Sequence, residues 1–151
     1  MTIPPNDDLR VVCALAERVM GWTKETRIGD LSAMDETRYF PHPTDGILIG
    51  VAQFATEIDG ERWYYCSWRP WRPLESMDDV MQVVDRLQEQ GWAYELASHW
   101  REGHTMIFGR GEYDRSEGEW EEQHAAHGAT RQWVICEAAL AVVGIVIEEP
   151  S

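Results

Sequence analysis

A helix with both of its ends, followed directly by a strand, is the sequence feature that most constrains the fold, and it lies in residues 71–95. Ser76 is a preferred N-cap residue, Asp79 is placed three residues later to complete the cap, and Gly91 ends the helix. Apolar residues recur between them at helical spacing, at Met77, Val80, Met81, Val84 and Leu87. After Gly91 the apolar period falls to two, which predicts a half-buried strand directly after a helix over 76–90. A helix packed on its own following strand is the start of a layered domain, in which we expect this strand to be buried from two sides.

The chain before this unit is predicted to begin with a helix and a long loop. Asn6 is a preferred N-cap residue for a helix over 7–20, and Gly21 is placed to end it. Residues 23–46 lack a regular apolar period and are rich in Gly, Asp, Ser and Thr, which is typical of a loop. Within this loop we expect a short strand near residues 38–40.

An Asp-Gly dipeptide at 59–60 is typical of a two-residue turn and predicts a hairpin over 47–68. The register that this turn sets places Thr56 opposite Trp63 and Val51 opposite Trp68. Both faces of the hairpin are then largely apolar. We therefore expect its sheet to be covered on both sides.

The chain after the central unit is predicted to form a second hairpin and a last helix. The alternating pattern of residues 92–112 predicts two further strands. Residues 113–129 carry a run of acidic side chains and two glycines, which predicts a solvated acidic loop anchored by Trp120. Thr130 is the expected N-cap of a helix over 131–143.

The element order α-ββ-α-ββ-α predicts a single domain over residues 1–151 of the α/β (α+β) class. Its expected architecture is a three-layer α-β-α sandwich, with a mostly antiparallel sheet of about four strands flanked by three helices. The three cysteines are odd in number and far apart, which favours reduced thiols over a disulfide framework. The sequence begins without a signal-peptide pattern and has no apolar run of membrane-spanning length, so an intracellular protein is expected.

A formal net charge of −14 argues against unspecific binding to DNA, RNA or anionic lipid, since such binding needs clustered Lys and Arg. The chain has 13 basic residues against 27 acidic ones. An acidic surface most often serves solubility. The alternative is an acidic mimic of nucleic acid that occupies a nucleic-acid-binding protein.

Alternating tryptophan and arginine residues just before the central helix form the candidate ligand site. They approach the N-terminal end of that helix, where negative charge is stabilised. Planar aromatic rings interleaved with guanidinium groups suit the stacking of a base and the binding of a phosphate. The candidate ligand-binding residues are Trp68, Arg69, Trp71, Arg72 and Ser76. The alternative is that the aromatic side chains belong to the core and the arginines only reach towards water.

Four histidines are weak candidates for metal ligands. His99 and His104 flank the turn of the second hairpin, whereas His124 and His127 share a face only in a helix. No Cys-x-x-Cys or His-Glu-x-x-His motif accompanies them, so no metal or other cofactor is predicted. Ser67 and Ser98 lack the context of a nucleophile elbow, so no catalytic residue is predicted either.

Three segments occur in the order found in a known family: residues 15–22 (LAERVMGW), 78–96 (DDVMQVVDRLQEQGWAYEL) and 131–143 (RQWVICEAALAVV). On these segments the chain resembles the phage ABA sandwich family, small bacteriophage and prophage proteins named for their α-β-α layering. The resemblance implies that fold and a phage origin. The chain departs from the family pattern in the LESMDD that leads into the central helix and in its longer loop after Trp22. The family has no generally established activity, so the resemblance supplies no catalytic residues.

The function expected from the residues and the resemblance together is that of a non-enzymatic phage accessory protein, which acts by binding in the host cytoplasm, with counter-defence as its setting. Its expected partner is a host protein or a small anionic ligand such as a nucleotide signal. Direct nucleic-acid binding and membrane binding are not expected. Three alternatives stay open: a metal-dependent or hydrolytic enzyme that uses the histidines, the acidic nucleic-acid mimic, and a homodimer or larger assembly with exposed tryptophans at the contact.

Overall fold

The computed structural model describes residues 1–24, 38–42, 46–58 and 60–150. Within the first hairpin, the side chains of residues 50–58 and 61–68 lie outside this description, whereas those at its base, such as Ile47, Ile49 and Arg69, are described. Most of the predicted loop over 23–46 also lies outside the described residues.

The described residues combine helices and strands and belong to the α+β class. The helices are α1 (Asp8–Ala14), a π-helical turn (Leu15–Val19), α2 (Met77–Glu89) and α3 (Arg131–Val142). None of these helices is long and apolar enough to cross a lipid bilayer. The strands are β1 (Thr2–Ile3), β2 (Thr23–Lys24), β3 (Arg38–His42), β4 (Gly46–Ile58), β5 (Glu61–Pro70), β6 (Ala93–His99), β7 (Gly103–Asp114), β8 (Glu119–Gly128) and β9 (Val146–Ile147). They pair in three groups, in the orders β1-β9, β2-β3-β4-β5 and β6-β7-β8.

The first helix begins one residue later than predicted and changes character halfway. Asp7, and not Asn6, is the N-cap, and its side chain accepts a hydrogen bond from the backbone N–H of Arg10 at 3.2 Å. The α-helix then widens into the π-helical turn, in which the Met20 N–H donates to the Leu15 carbonyl at 2.9 Å. The predicted helix over 7–20 is therefore an α-helix followed by a π turn, a feature that repetitive apolar spacing does not encode.

The first hairpin is present, as predicted, with strands β4 and β5. The pairing nearest the turn is confirmed, because Thr56 lies opposite Trp63. A bulge that precedes Thr56 on β4 shifts the rest of the ladder by one residue, so Trp68 lies opposite Gly50 and not opposite Val51. The predicted register is wrong beyond that bulge. The short strand predicted near residues 38–40 is confirmed as β3, which is antiparallel to β4.

The central helix is confirmed with its predicted N-cap. The Ser76 hydroxyl accepts a hydrogen bond from the Asp79 N–H at 3.2 Å, but the Asp79 carboxylate does not return to the Ser76 N–H as a capping box would. The stripe that α2 buries is Val80, Val83, Val84 and Leu87. Each of these side chains stabilises the fold by about 1.5–3 kcal/mol relative to an exposed position. Gly91, at φ +95°, follows the helix and lets the Trp92 N–H donate back to the Leu87 carbonyl at 3.0 Å.

The second hairpin is confirmed, but the acidic segment after it is not a loop. Strand β8 occupies most of residues 113–129 and pairs antiparallel with β7, so the sheet has three strands. Trp120, the predicted anchor, is half-buried on Gly109 of β7, where a side-chain Cβ would approach the Trp120 ring too closely. The solvated loop shrinks to the turn at 115–118. The acidic residues of β8 are exposed, and the strand lies at the edge of the sheet.

Helices cover one face of the β6-β7-β8 sheet. Met106, Phe108 and Ala126 point to that face and are buried in one core with the Val134 and Ala138 side chains of α3. The other face presents exposed side chains, among them Ala97, His99, Ala125 and His127. The expectation that the strand after α2 is covered on both faces is therefore wrong. The predicted three-layer sandwich, with one sheet of about four strands, is not confirmed.

Candidate functional site

Three of the sequence-predicted ligand residues, Arg69, Arg72 and Ser76, form hydrogen bonds with Asp79. Asp79 is 6% exposed. Its Oδ1 accepts from Arg69 Nη1 at 3.0 Å, and its Oδ2 accepts from the backbone N–H of Arg72 at 2.8 Å. With the Ser76 cap, these contacts tie the base of the first hairpin to the first turn of α2. The predicted residues are thus brought together, but around a side chain of the protein itself.

The electrostatics of this position explain the arrangement. A helix N-terminus stabilises negative charge, because its first N–H groups have no partner within the helix. The Asp79 carboxylate lies in the first turn of α2 and takes this role, and it also neutralises the Arg69 guanidinium. The place that the sequence suggested for a phosphate is therefore occupied by the protein's own anion.

Trp71, the central aromatic residue of the predicted ligand site, is part of the core. It is 1% exposed, its Nε1–H donates to Gln82 Oε1 at 2.9 Å, and its ring meets that of Trp22 edge-on at 4.6 Å between centroids. A ring in these surroundings offers no face to a ligand from solvent. The side chain of Trp68 lies outside the described part of the chain, and Arg72 is exposed.

A different tryptophan–arginine pair is exposed, in the turn between β6 and β7. Trp100 is 85% exposed, and the Arg101 guanidinium carbon lies 4.3 Å from the centroid of its ring. Arg101 adopts φ +81°, a left-handed backbone that residues other than glycine seldom adopt. The turn is closed by a hydrogen bond from the Glu102 N–H to the His99 carbonyl at 3.2 Å. Backbone strain of this kind is common at binding sites.

Trp100 and Arg101 belong to the rim of an open depression of about 800 Å³. Its other lining residues come from the ends of β6, β7 and β8, from the turn residue Glu102 and from Ala129, and include Ser98, His99, His104 and His127. We call this the β6–β7 turn site. Gly103 is required at its base, because a Cβ there would lie 2.5 Å from the Gly128 carbonyl oxygen of the neighbouring strand.

The three histidines of the β6–β7 turn site lie on two faces of the sheet. His99 and His127 are on the open face, since both align with the row formed by Ala97 and Thr105. His104 is on the other face, where its Nδ1 lies 2.7 Å from Ser98 Oγ. His127 Nδ1 lies 2.9 Å from Thr105 Oγ1. Alternation along the strands thus prevents the three rings from converging on one point.

His124, the fourth candidate metal ligand, lies elsewhere. Its ring meets that of Trp92 at 5.6 Å, and its Nε2 is 3.4 Å from Glu122 Oε1. Arg110 donates to Glu122 Oε2 at 2.9 Å, and the hydrogen bonds from Arg110 and then His124 hold the pKa of the Glu122 carboxyl below its usual range. Among the described residues, no group of three or more His, Cys, Asp or Glu side chains is placed to hold a metal ion.

The cysteines described in full offer no exposed nucleophile. Cys136 is buried in α3, its thiol lies 3.7 Å from the Pro73 carbonyl oxygen, and burial raises the pKa of this thiol. Cys13 is half-buried and reduced. A thiol with a raised pKa stays protonated at neutral pH and is unreactive.

Sequence analysis missed Trp100 and Arg101. Both residues lie in the turn that His99 and His104 flank, and a tryptophan in a turn lacks the strand neighbours that would bury it. That mismatch between a large aromatic residue and a turn position is the signal that identifies the β6–β7 turn site.

Comparison of the chain with models of protein families, with curated proteins and with solved structures found no match. The resemblance to the phage ABA sandwich family therefore stays a prediction from the sequence.

Proposed function

We propose that this protein is a non-enzymatic binding protein and that the β6–β7 turn site is where it contacts its partner. The observation that carries the proposal is the exposure of Trp100, with Arg101 stacked on its ring. Tryptophan is among the residues most strongly buried on average, so one that is 85% exposed forgoes a large stabilisation. Tryptophan and arginine also dominate the binding energy of protein interfaces, where their burial on binding recovers that loss.

The biological setting of the proposal comes from the family resemblance. A phage accessory protein that acts in the host cytoplasm, in counter-defence, binds either a host protein or a small anionic ligand. The three-layer α-β-α architecture belongs to the same proposal for the β2-β3-β4-β5 sheet alone, since one face of the β6-β7-β8 sheet is open. The proposal also includes the absence of direct nucleic-acid binding, which the net charge of −14 supports. An acidic mimic of nucleic acid is the variant of this proposal that would use the exposed acidic edge of β8 in place of the turn site.

A hydrolytic enzyme is the second candidate, and one contact favours it. Ser98 Oγ and His104 Nδ1 are 2.7 Å apart at the edge of the depression, which is the distance of a nucleophile from its general base. Among the contacts of the described residues, none joins His104 to the carboxylate that would orient it. Ester hydrolysis that disappears in Ser98→Ala would favour this candidate over a binding protein.

The test of the binding proposal is capture of a partner from host lysate with the full chain as bait. We expect the captured protein or small molecule to be lost with Trp100→Ala and retained with Tyr113→Ala. Tyr113 is the matched control, since it is an exposed aromatic residue (44%) at the far end of the β7–β8 hairpin. Capture that is unchanged in Trp100→Ala would contradict the proposal, and a dimer that dissociates in that variant during light scattering would favour the assembly alternative.

A further inference from the structure

We propose that the β6–β7 turn site binds a small ligand that combines a flat ring system with a phosphate, as a nucleoside monophosphate does. This inference rests on the proposed function, because it names the chemical class of the partner at the same site. Three properties of the site carry it: a free aromatic face, an oriented guanidinium beside it, and a depression of small-molecule size.

Trp100 supplies the surface for the ring system. Arg101 covers part of one face of the indole, and an exposed fraction of 85% leaves the other face open to solvent. Stacking of a flat ring on an exposed aromatic side chain contributes favourable free energy to binding, and it does so without hydrogen bonds that read the identity of the ring. The Trp100 ring stands at the rim of the depression, so a stacked ligand extends from it towards the three strands.

Arg101 supplies the group for the phosphate. The Arg101 guanidinium carbon lies 4.3 Å from the centroid of the Trp100 ring, and the planar fork of N–H donors of a guanidinium matches two oxygens of a phosphate. Among the described residues, no carboxylate forms an ion pair with Arg101, so these donors remain available. The left-handed backbone at Arg101 fixes the start of its side chain, and the stack on Trp100 fixes its end.

The remaining lining residues suit the same ligand. His99 and His127 lie on the open face beside the turn, and neutral or protonated imidazoles donate hydrogen bonds to phosphate oxygens. Glu102 is the one carboxylate among the described residues that line the depression. A volume of about 800 Å³ is within the range of small-molecule sites, whereas its open shape predicts modest affinity.

The net charge of −14 repels an anion. Whether the donors at the site can still bind a phosphate depends on the distance over which the acidic side chains act. At physiological salt, charges more than about 8 Å apart are largely screened. The acidic side chains of β8 cluster at residues 119–122, and this end of the strand is opposite to the end that lines the depression. The charged groups nearest the ligand are therefore Arg101, which attracts the phosphate, and Glu102, which opposes it, so binding depends on the hydrogen bonds of Arg101 and on the stack on Trp100.

The test is calorimetric titration of the full chain with adenosine monophosphate, adenosine and inorganic phosphate at physiological salt. We expect adenosine monophosphate to bind more tightly than either fragment. Arg101→Gln should weaken the binding of adenosine monophosphate roughly tenfold and leave that of adenosine nearly unchanged. Trp100→Ala should weaken both, and Trp100→Phe should restore part of the loss. Arg115→Gln, an exposed arginine in the turn between β7 and β8, is the control and should bind like the unmodified chain.

The outcomes separate this inference from the proposed function. If adenosine monophosphate does not bind at millimolar concentration, or binds equally to Arg101→Gln, the ligand class is wrong, even where capture from lysate still depends on Trp100. If neither nucleotide binding nor capture depends on Trp100, both proposals are wrong. Equal weakening by Arg101→Gln and by Arg115→Gln would show attraction by overall charge in place of a site and would also overturn the inference.

Discussion

Residues 69–72 and residues 99–102 both place a tryptophan beside an arginine, yet Trp71 is 1% exposed and Trp100 is 85% exposed. In the first segment each group is already satisfied: the indole N–H donates to Gln82, and Asp79 pairs with Arg69. In the second segment the arginine stacks on the ring, and both face water. The same residue types therefore serve the fold in one place and are available for binding in the other.

The difference between the two segments comes from what lies next to them in space. The first segment leads into α2, whose buried stripe and first turn receive the Trp71 ring and the Arg69 charge. The second segment turns the chain between β6 and β7, at the end of their sheet, where Trp100 is 85% exposed. In this chain, the Trp-Arg pattern is buried where an amphipathic helix follows it and exposed where a turn carries it, and only the exposed pair is consistent with the proposed binding site.

The largest expected effect is on stability, and it tests the comparison directly. Trp71→Ala should lower the free energy of unfolding by about 3–5 kcal/mol, because it opens a cavity in the core. Trp100→Ala should change it by no more than about 0.5 kcal/mol, as expected for an exposed position. Chemical denaturation of both variants gives the measurement. Where Trp71→Ala does not fold, Trp71→Phe gives a smaller loss with the same sign, and equal losses at positions 71 and 100 would contradict the comparison.

The contacts of the arginines in the two segments should also differ in how much they contribute to the free energy of unfolding, by less than the two tryptophans do. Asp79→Ala should cost about 1–3 kcal/mol, since it removes the acceptor of the Arg72 N–H and leaves Arg69 without its carboxylate. Arg101→Met removes only a stack exposed to solvent and should cost about 0.5–1 kcal/mol at most. A double-mutant cycle of Asp79→Ala with Arg69→Met separates the ion pair from the backbone contact. Additive losses in that cycle would show that the 3.0 Å ion pair contributes nothing.

The sequence predicted those parts of the fold that depend on local signals. The caps at Ser76 and Thr130 and the end of α2 at Gly91 follow from side-chain chemistry within a few residues, and all three are confirmed. Strand β8 was not predicted because the run of acidic residues indicated a solvated loop. An edge strand tolerates exposed charged side chains, so that run does not exclude a strand. The register beyond the bulge was wrong because a bulge depends on how the sheet twists, which no local pattern encodes.

The candidate site was predicted less well than the fold, for a related physical reason. Whether a tryptophan stacks on a ligand or fills a core depends on tertiary neighbours, and these lie far away in sequence: Gln82 and Trp22 for Trp71. The histidines show the same limit. His124 and His127 belong to strand β8, in which successive side chains alternate between the two faces of the sheet. The two histidines therefore lie on opposite faces and cannot bind one metal ion together.

A third tryptophan–arginine pair, intermediate between the other two, gives the smallest and most specific prediction. Arg110 lies 4.4 Å from the centroid of the Trp92 ring and donates to Glu122, whose pKa it lowers. A lowered pKa means that this contact stabilises the fold above the ordinary pKa of the carboxyl, and that the stabilisation is lost as the pH falls through the lowered value. In Arg110→Gln, the pKa of Glu122 should therefore rise towards its ordinary value of 4.5.

Carboxyl-detected NMR titration of Glu122 measures this shift, with Arg115→Gln as the control that should leave it unchanged. Because Glu122 is exposed, we expect a change in its titration rather than a large change in stability. A pKa that stays low in Arg110→Gln would mean that His124 alone holds the carboxylate, through its 3.4 Å contact. Arg110 would then resemble Arg101, because its main contact would be with a tryptophan ring and its contact with Glu122 would not change the pKa of that carboxyl. The Trp92–Arg110 pair would then no longer be intermediate, and the three tryptophan–arginine pairs would differ only in whether the tryptophan is buried.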